Sequence, residues 1–403
     1  MLLIVNGGSS SIKFAIFKQT DPPEKIFSGQ IDNIGKTTVS VKTRSANSEV
    51  TATIQPDTIH DYPSAIHYLV KWLESQIEFD KITVIAHRIV HGMQHTAPTV
   101  ITEALLTSLK QIIPYDPDHL PNEINLVEVF QQHHPDKIQI ACFDTAFHQT
   151  LPRVARLLPV PRRFEKQGIL RYGFHGLSYQ YLMQALEKIA GKDIASGRVV
   201  LAHLGNGASL AAVHEGQSMD TSMAFTPASG VPMSSRCGDI DPGVACYIMK
   251  SENLSPDQFN YLINHESGLL GIAETSGDMA DLLLRENNDI SAKEAIDLFC
   301  YEVKKKIGAY TAVLGGIDTL IFSGGIGENA PAIRQRICEN LSFLGIELDS
   351  KRNQENNGLI SIDTSKVAVR IIPTDEAWMM AQIVNQMIRD GKITLSEKIY
   401  SYE

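Results

Sequence analysis

The sequence lacks the ingredients of several protein classes. No apolar stretch reaches the about 18 residues that a membrane-spanning helix needs. The N-terminus opens on the strand-like run Leu2 to Val5, without the charged start and small-residue cleavage site of a signal peptide. Basic residues are in deficit: 36 lysines and arginines against 46 aspartates and glutamates leave a formal net charge of -10. That balance argues against nucleic acid or an anionic membrane as the main partner. Cysteine is scarce, and Cys142, Cys237, Cys246, Cys300 and Cys338 form no CxxC pair. Neither a disulfide framework nor a zinc site is expected, and a reducing cytoplasm is the simplest home for a soluble chain.

What is present is an ordinary globular composition, 43% hydrophobic and 20% charged, over 403 residues. That length exceeds what one core usually serves, so two domains are expected, with a boundary near 150 to 160, where TLPRVARLLPVPRR concentrates proline and arginine. Helical periodicity covers 62 to 78, 122 to 133, 176 to 190, 292 to 314 and 376 to 390. Strand patterns lie near 82 to 90, 138 to 143 and 367 to 372, and their alternation with helices indicates α/β layers.

Three glycine turns punctuate this pattern. LLIVNGGSSSIKFAIF, residues 2 to 17, reads as a hairpin in which Asn6-Gly7-Gly8 supply positive φ, with Lys13 at the start of the second strand. The order does not fit GxxxxGK[ST], yet the turn still offers N–H groups and hydroxyls to a phosphate. RVVLAHLGNGASLAAV, residues 198 to 213, repeats the plan and suggests two related halves. At 317 to 341 a strand-like run ends in Ser323-Gly324-Gly325-Ile326-Gly327, and Pro331 opens a helix, an arrangement that favours a nucleotide near the turn or serves backbone turning alone.

Polar residues in apolar surroundings supply the candidate chemistry. His87, His91 and His95 are spaced four apart, but a strand over the first two sets them about 13 Å apart, too far for one metal ion. Arg88 in the same run needs an anionic partner, structural or substrate. Asp144 ends an apolar run and is either functional or a helix N-cap. His175 in RYGFHG is either a working imidazole or a structural one. Arg236, Asp239 and Asp241 sit in a long loop-like segment, 226 to 243, where ion pairing among them is the alternative to function. Asp375 and Glu376 end a strand, placed to cap the next helix or to reach a cation.

Taken together, NGGSSSIK, HRIVHG, FDTAFH, RYGFHG, HLGNGASL, DTSMAFTP, RCGDIDPG, SGLLGI, FSGGIGEN, FLGIELD and IPTDE strongly resemble the acetate kinase family of acetate and propionate kinases, in family order from residue 6 to 376. The resemblance implies the fold of sugar kinases, actin and Hsp70 ATPase domains (ribonuclease H-like): two duplicated α/β domains with the active site in the interdomain cleft. It implies an acyl- and phosphate-binding domain over 1–150, completed by a C-terminal helix at about 377–403, and a nucleotide-binding domain over 151–376. It also implies a homodimer that uses ATP, yielding ADP, and magnesium, with manganese as an alternative ion, to phosphorylate a short carboxylate such as acetate to acetyl phosphate.

Carried over by position, Arg88 and Arg236 would hold the carboxylate and the transferring phosphoryl group, His175 would stabilise the transition state, and Asp144 matches the family's catalytic acidic residue. Asn6 and Glu376 lie at magnesium positions. Lys13, His203, Leu204, Gly205, Asn206, Gly207, Asp278, Met279, Gly325, Ile326, Gly327, Glu328 and Asn329 match nucleotide-binding positions, and Val90, Phe174 and Pro227 match the acyl pocket. The chain departs from the family pattern in places. IPYDPDHLPNEI, residues 113 to 124, stands where most members have PLHNP, so Tyr115 and Asp116 replace a leucine and a histidine. Ala280 replaces an arginine, PMSSRCGD lacks the usual glycine and threonine before Arg236, and TDEA replaces TNEE. A propionate kinase is the near alternative, and a chaperone-like or binding ATPase of the same superfold the distant one.

Overall fold

A computed structural model describes residues 1–8, 10–36, 38–45, 48–54, 59–76 and 79–393, with the backbone alone at 48–54 and 76. The chain divides into two units, the first formed by Met1–Ala146 together with the chain from Asp375 on, the second by Phe147–Thr374. Among the described residues no helix is long and apolar enough to cross a membrane.

The first unit is built on strands β1 (Leu2–Gly7), β2 (Ile12–Lys18), β3 (Glu24–Asp32), β4 (Val39–Ser45), β5 (Ser48–Ile54), β6 (Val84–Ile89), β7 (Thr99–Val100) and β8 (Ile138–Phe143), in the order β5-β4-β3-β2-β1-β6-β8-β7. β1 and β2 form the expected hairpin, with Asn6 opposite Lys13. Neither Gly7 nor Gly8 takes a positive φ; Gly7 serves close packing instead, since a Cβ there would lie 2.7 Å from Leu126 and from the Tyr62 hydroxyl. Ser9 lies outside the described residues.

Strand alternation decides which side chain faces what. Leu3 and Val5 of β1 and Ile85 of β6 point into a core shared with Ala65, Leu69, Leu126 and Phe130 from the helices Tyr62–Gln76 and Leu120–His133. Asn6 and Arg88 therefore face the opposite side, against which the helix Glu376–Arg389 packs. That helix stops well short of 403. Gly391, at φ 69, ends it with Gly391 N–H on Ile388 C=O and Lys392 N–H on Met387 C=O, a Schellman closure. The remainder of the expected helix, 394–403, and the end of the 62–78 helix, 77–78, lie outside the described residues.

The second unit repeats the plan with β9 (Arg198–Leu204), β10 (Ala208–His214), β11 (Gln217–Thr221), β12 (Thr319–Ser323) and β13 (Ala368–Ile371), ordered β11-β10-β9-β12-β13. β9 is antiparallel to β10 and parallel to β12, as β1 is antiparallel to β2 and parallel to β6. The helix Gly176–Ala190 covers one face through Tyr179, Leu182 and Leu186 against Val199, Leu201 and Ile321. The helix Ile290–Leu314 packs on β9, β10 and β11. Both units are thus three-layered α/β structures, and the order β3-β2-β1-β6-β8 of the first recurs as β11-β10-β9-β12-β13 in the second.

Candidate active site

In the first unit, strand ends bring together residues that are distant in sequence. β6 is parallel to β8, with Arg88 opposite Cys142, so Asp144, two residues beyond, reaches the guanidinium. Arg88 Nε and Nη2 donate to Asp144 Oδ1 and Oδ2 at 3.1 and 2.5 Å, a bidentate fork, and Nη1 donates to Asn6 Oδ1 at 3.1 Å. Asn6 Nδ2 donates in turn to Glu376 Oε2 at 3.3 Å, which lies 3.9 Å from Arg88 Nε. Burial works to lower the Arg88 pKa, but the charges of Asp144 and Glu376 outweigh it and raise it, so the cation is permanent.

Asp144 is fully buried. Its carboxylate accepts from Arg88 with both oxygens. Lys13 is exposed on the Asn6 side of the hairpin, and Val90 is buried just past β6. Asp375 caps the helix Glu376–Arg389 by accepting the Trp378 N–H at 2.9 Å, and pairs with Lys25. Glu376, the first helical residue, meets Asn6.

In the second unit His175 stands at φ 58, a conformation costly for a non-glycine residue, as the N-cap of the helix Gly176–Ala190. Its Nδ1 lies 2.8 Å from Ser209 Oγ, which also meets the Tyr179 hydroxyl, and its ring stacks on His203 at 4.3 Å. His203 Nδ1 is 2.8 Å from Ser178 Oγ. The β9–β10 turn, Gly205 to Gly207, lies against these groups: a Cβ on Gly207 would be 3.3 Å from His175 Nε2 and 3.8 Å from Arg236 Nη1. A Cβ on Gly205 would be 3.8 Å from Gly325 N. The structure therefore gathers His175, His203, the Leu204–Gly205–Asn206–Gly207 turn, Arg236 and Gly325.

Arg236 is placed by its loop. Its Nη1 donates to the Pro227 carbonyl at 3.4 Å, Met233 N–H reaches its carbonyl, and Gly268, at φ 60, lets a neighbouring backbone come close. Asp239 accepts the Gly230 N–H at 2.8 Å and meets Lys306 at 3.3 Å, while Asp241 caps the helix Pro242–Ser251. Ser234 ties this loop to two others, donating its N–H to Asn206 C=O at 3.1 Å and its hydroxyl to Gly277 C=O at 2.8 Å.

Phe174 is buried, and its carbonyl accepts from His148 Nε2 at 3.0 Å. Burial lowers the His148 pKa to about 4, which keeps that imidazole neutral. Glu328 Oε1 accepts the Gly324 and Thr374 N–H groups at 2.8 and 3.3 Å, and Asn329 donates to Gly325 C=O at 3.0 Å. Gly327 and Ile326 lie within the short helix Gly324–Asn329, which Arg334 ties down through the Gly327 and Glu328 carbonyls. Asp278 caps the helix Met279–Arg285, and Met279 is buried.

Sequence patterns pass over Ser209, Ser178, Ser234 and Glu123. A serine in a strand or a glutamate on an amphipathic helix carries no signal until its partner is known. His87 and His91 are buried, and the His95 ring stacks on Phe143. Among the described residues no group of three or more His, Cys, Asp or Glu is placed to hold a metal ion.

Residues 1–382 match the Acetokinase family. Acetate kinase of Rhodopseudomonas palustris (strain TIE-1) is 40% identical over 399 residues, covering 97% of this chain and 99% of that protein. Acetate kinase of Clostridium botulinum (strain Hall) is 39% identical, covering 94% and 98%. Among solved structures, Porphyromonas gingivalis acetate kinase superposes with a TM-score of 0.84 at 33% identity, covering 96% and 99%. A propionate kinase from Francisella tularensis superposes with a TM-score of 0.88 at 34% identity, covering 95% and 98%. Fold, site and relatives together define a phosphotransferase with a carboxyl group as acceptor. The chain belongs to the Acetokinase family.

Proposed function

We propose that this protein is an acetate kinase, transferring the γ-phosphoryl group of ATP to acetate by direct in-line attack and giving acetyl phosphate and ADP reversibly. The observation that carries the reading is Arg88. Three of its N–H donors are committed to Asp144 and Asn6, which leaves two of a guanidinium's five for an incoming anion. A rigid, permanently charged fork held below a strand end suits a carboxylate.

Acetate, with a pKa of about 4, is already ionised at neutral pH, so its attack needs no general base. The obstacle is repulsion between two anions, which Arg88 and Arg236 offset. Asp144 acts by orienting Arg88, and no proton passes through it. The transition state spreads charge over three equatorial oxygens; His175, whose Nδ1 lies 2.8 Å from Ser209 Oγ, donates to one of them through Nε2. Val90, Phe174 and Pro227 stand at the positions that, by the family resemblance, would take the acyl group. Lys13, the His203–Gly207 stretch, Asp278, Met279 and Gly325–Asn329 take the nucleotide.

Asn6 and Glu376 would hold magnesium. An amide oxygen and a carboxylate are hard donors of the type that ion uses when phosphates and water complete its shell. Once bound, it neutralises phosphate charge. ATP as co-substrate and five free thiols fit a cytoplasmic setting. A homodimer is supported by the helix Pro242–Ser251, which is apolar yet has no buried residue and exposes Val244 and Tyr247.

Acetate is preferred over propionate because the full-length relatives named above are acetate kinases. One methylene in an apolar pocket is worth about 1 to 3 kcal/mol, so kcat/KM for acetate, propionate and butyrate with MgATP decides. Acetate is expected to lead; a preference of about tenfold or more for a longer acid contradicts the assignment.

A further inference from the structure

The segment 113–124 contains a buried acid the mechanism does not use. Glu123, in the first turn of the helix Leu120–His133, is 1% exposed. Both of its carboxyl oxygens lie within reach of the Val90 backbone N–H, at 3.2 and 3.1 Å. Val90 follows the last residue of β6, so this contact fixes the chain two residues beyond Arg88.

Behind Glu123 lie Asp116 and His119, seven and four residues earlier. Asp116 is 3% exposed; its Oδ1 is 2.7 Å from His119 Nδ1, and its Oδ2 has no hydrogen-bond partner among the described residues. Charged and titratable groups face Glu123 from each neighbouring element: Asp116 from its own segment, Arg88 from β6, Asp144 from the end of β8, and Tyr62 from the helix Tyr62–Gln76. Burial first, then Asp116, push its pKa well above 4.5, and the pull of Arg88 and the Val90 N–H does not reverse this. Charge balance points the same way. Arg88 already faces Asp144 and Glu376, and a third ionised carboxylate would weaken its hold on an anionic substrate.

We propose that Glu123 is a positioning residue for the acid substrate: its buried carboxyl accepts the Val90 N–H and so fixes Val90 and, two residues before it, Arg88. This rests on the reading that Arg88 holds the substrate carboxylate. The test uses the full chain, with KM for acetate, KM for MgATP and kcat measured for wild type, Glu123→Leu and Glu123→Gln. Leu, which cannot accept the N–H, is expected to raise KM for acetate by about tenfold or more while KM for MgATP stays within about twofold. Gln, a neutral acceptor, is expected to recover most of that loss.

A folded Leu variant with wild-type KM for acetate overturns the proposal, as does an equal rise in both KM values or a Gln variant as impaired as Leu. Should Leu not fold by circular dichroism, Gln alone decides: KM for acetate within about threefold of wild type supports the role, and a rise of about tenfold overturns it. Failure of the underlying reading shows separately, as wild-type protein that forms no acetyl phosphate at all.

Discussion

Arg88 combines partial burial with a bidentate carboxylate and an amide oxygen. Arg88→Ala removes the fork proposed to hold the substrate and takes from Asp144 its guanidinium partner. Acyl phosphate formation is expected to fall by more than about a hundredfold, about 3 kcal/mol of transition-state stabilisation, and Arg236→Ala to fall similarly. Initial rates near wild type in either variant would contradict the clamp. Glu123 has a signature in stability as well. Below 4.5, its ordinary pKa, the group is protonated both folded and unfolded. Above it the unfolded chain releases the proton that the folded chain keeps, so this contribution to stability is fullest in acid and declines towards the raised folded value. Glu123→Gln is therefore expected to melt above wild type at about pH 8 and level with it at about pH 4; a gap that does not widen with pH would contradict the uncharged form. That Arg88 needs an anion is legible in its β-branched flanks. That the anion is Asp144, 56 residues on, is not, because only the β6–β8 register sets them together.

Among the elements, helices are the most legible. Their apolar stripes recur at helical spacing, and Asp375 stands where an N-cap belongs. β3 to β5 escape the same reading, since β4 (VSVKTRS) carries only Val39 and Val41 as apolar residues, too few to stand out as a strand run. The glycine turns are legible as turns, but the reason for each glycine is tertiary. Gly7 yields space to another helix, whereas Gly268 allows two carbonyls to approach. A Cβ on Gly268 would lie 2.2 Å from Met233 O and 2.6 Å from Arg236 O, at φ 60. Gly268→Ala is expected to displace the Arg236 loop and lower kcat by about tenfold or more in a folded protein, and an unchanged kcat would contradict the assigned loop geometry. Arg334, fully buried, donates to Asn353, Asn356 and the Gly327 and Glu328 carbonyls. Arg334→Ala leaves these acceptors unpaired and is expected to destabilise by about 2–4 kcal/mol in urea unfolding.

Across the whole chain, the duplication is visible in sequence only as an echo between NGGSSS and GNGAS. The shared strand order depends on parallel crossovers from β1 to β6 and from β9 to β12, which leave no local pattern. Assembly is tested by sedimentation: wild type is expected as a dimer and Tyr247→Asp as a monomer, and dimerisation unaffected by that charge would place the interface elsewhere. The most direct measurement of all incubates the wild-type chain with MgATP and acetate, trapping acyl phosphate with hydroxylamine while ADP is counted. One acetyl hydroxamate per ADP is the predicted result. ADP released with phosphate, and with no acyl phosphate from acetate, propionate or butyrate, would contradict it and identify an ATPase instead.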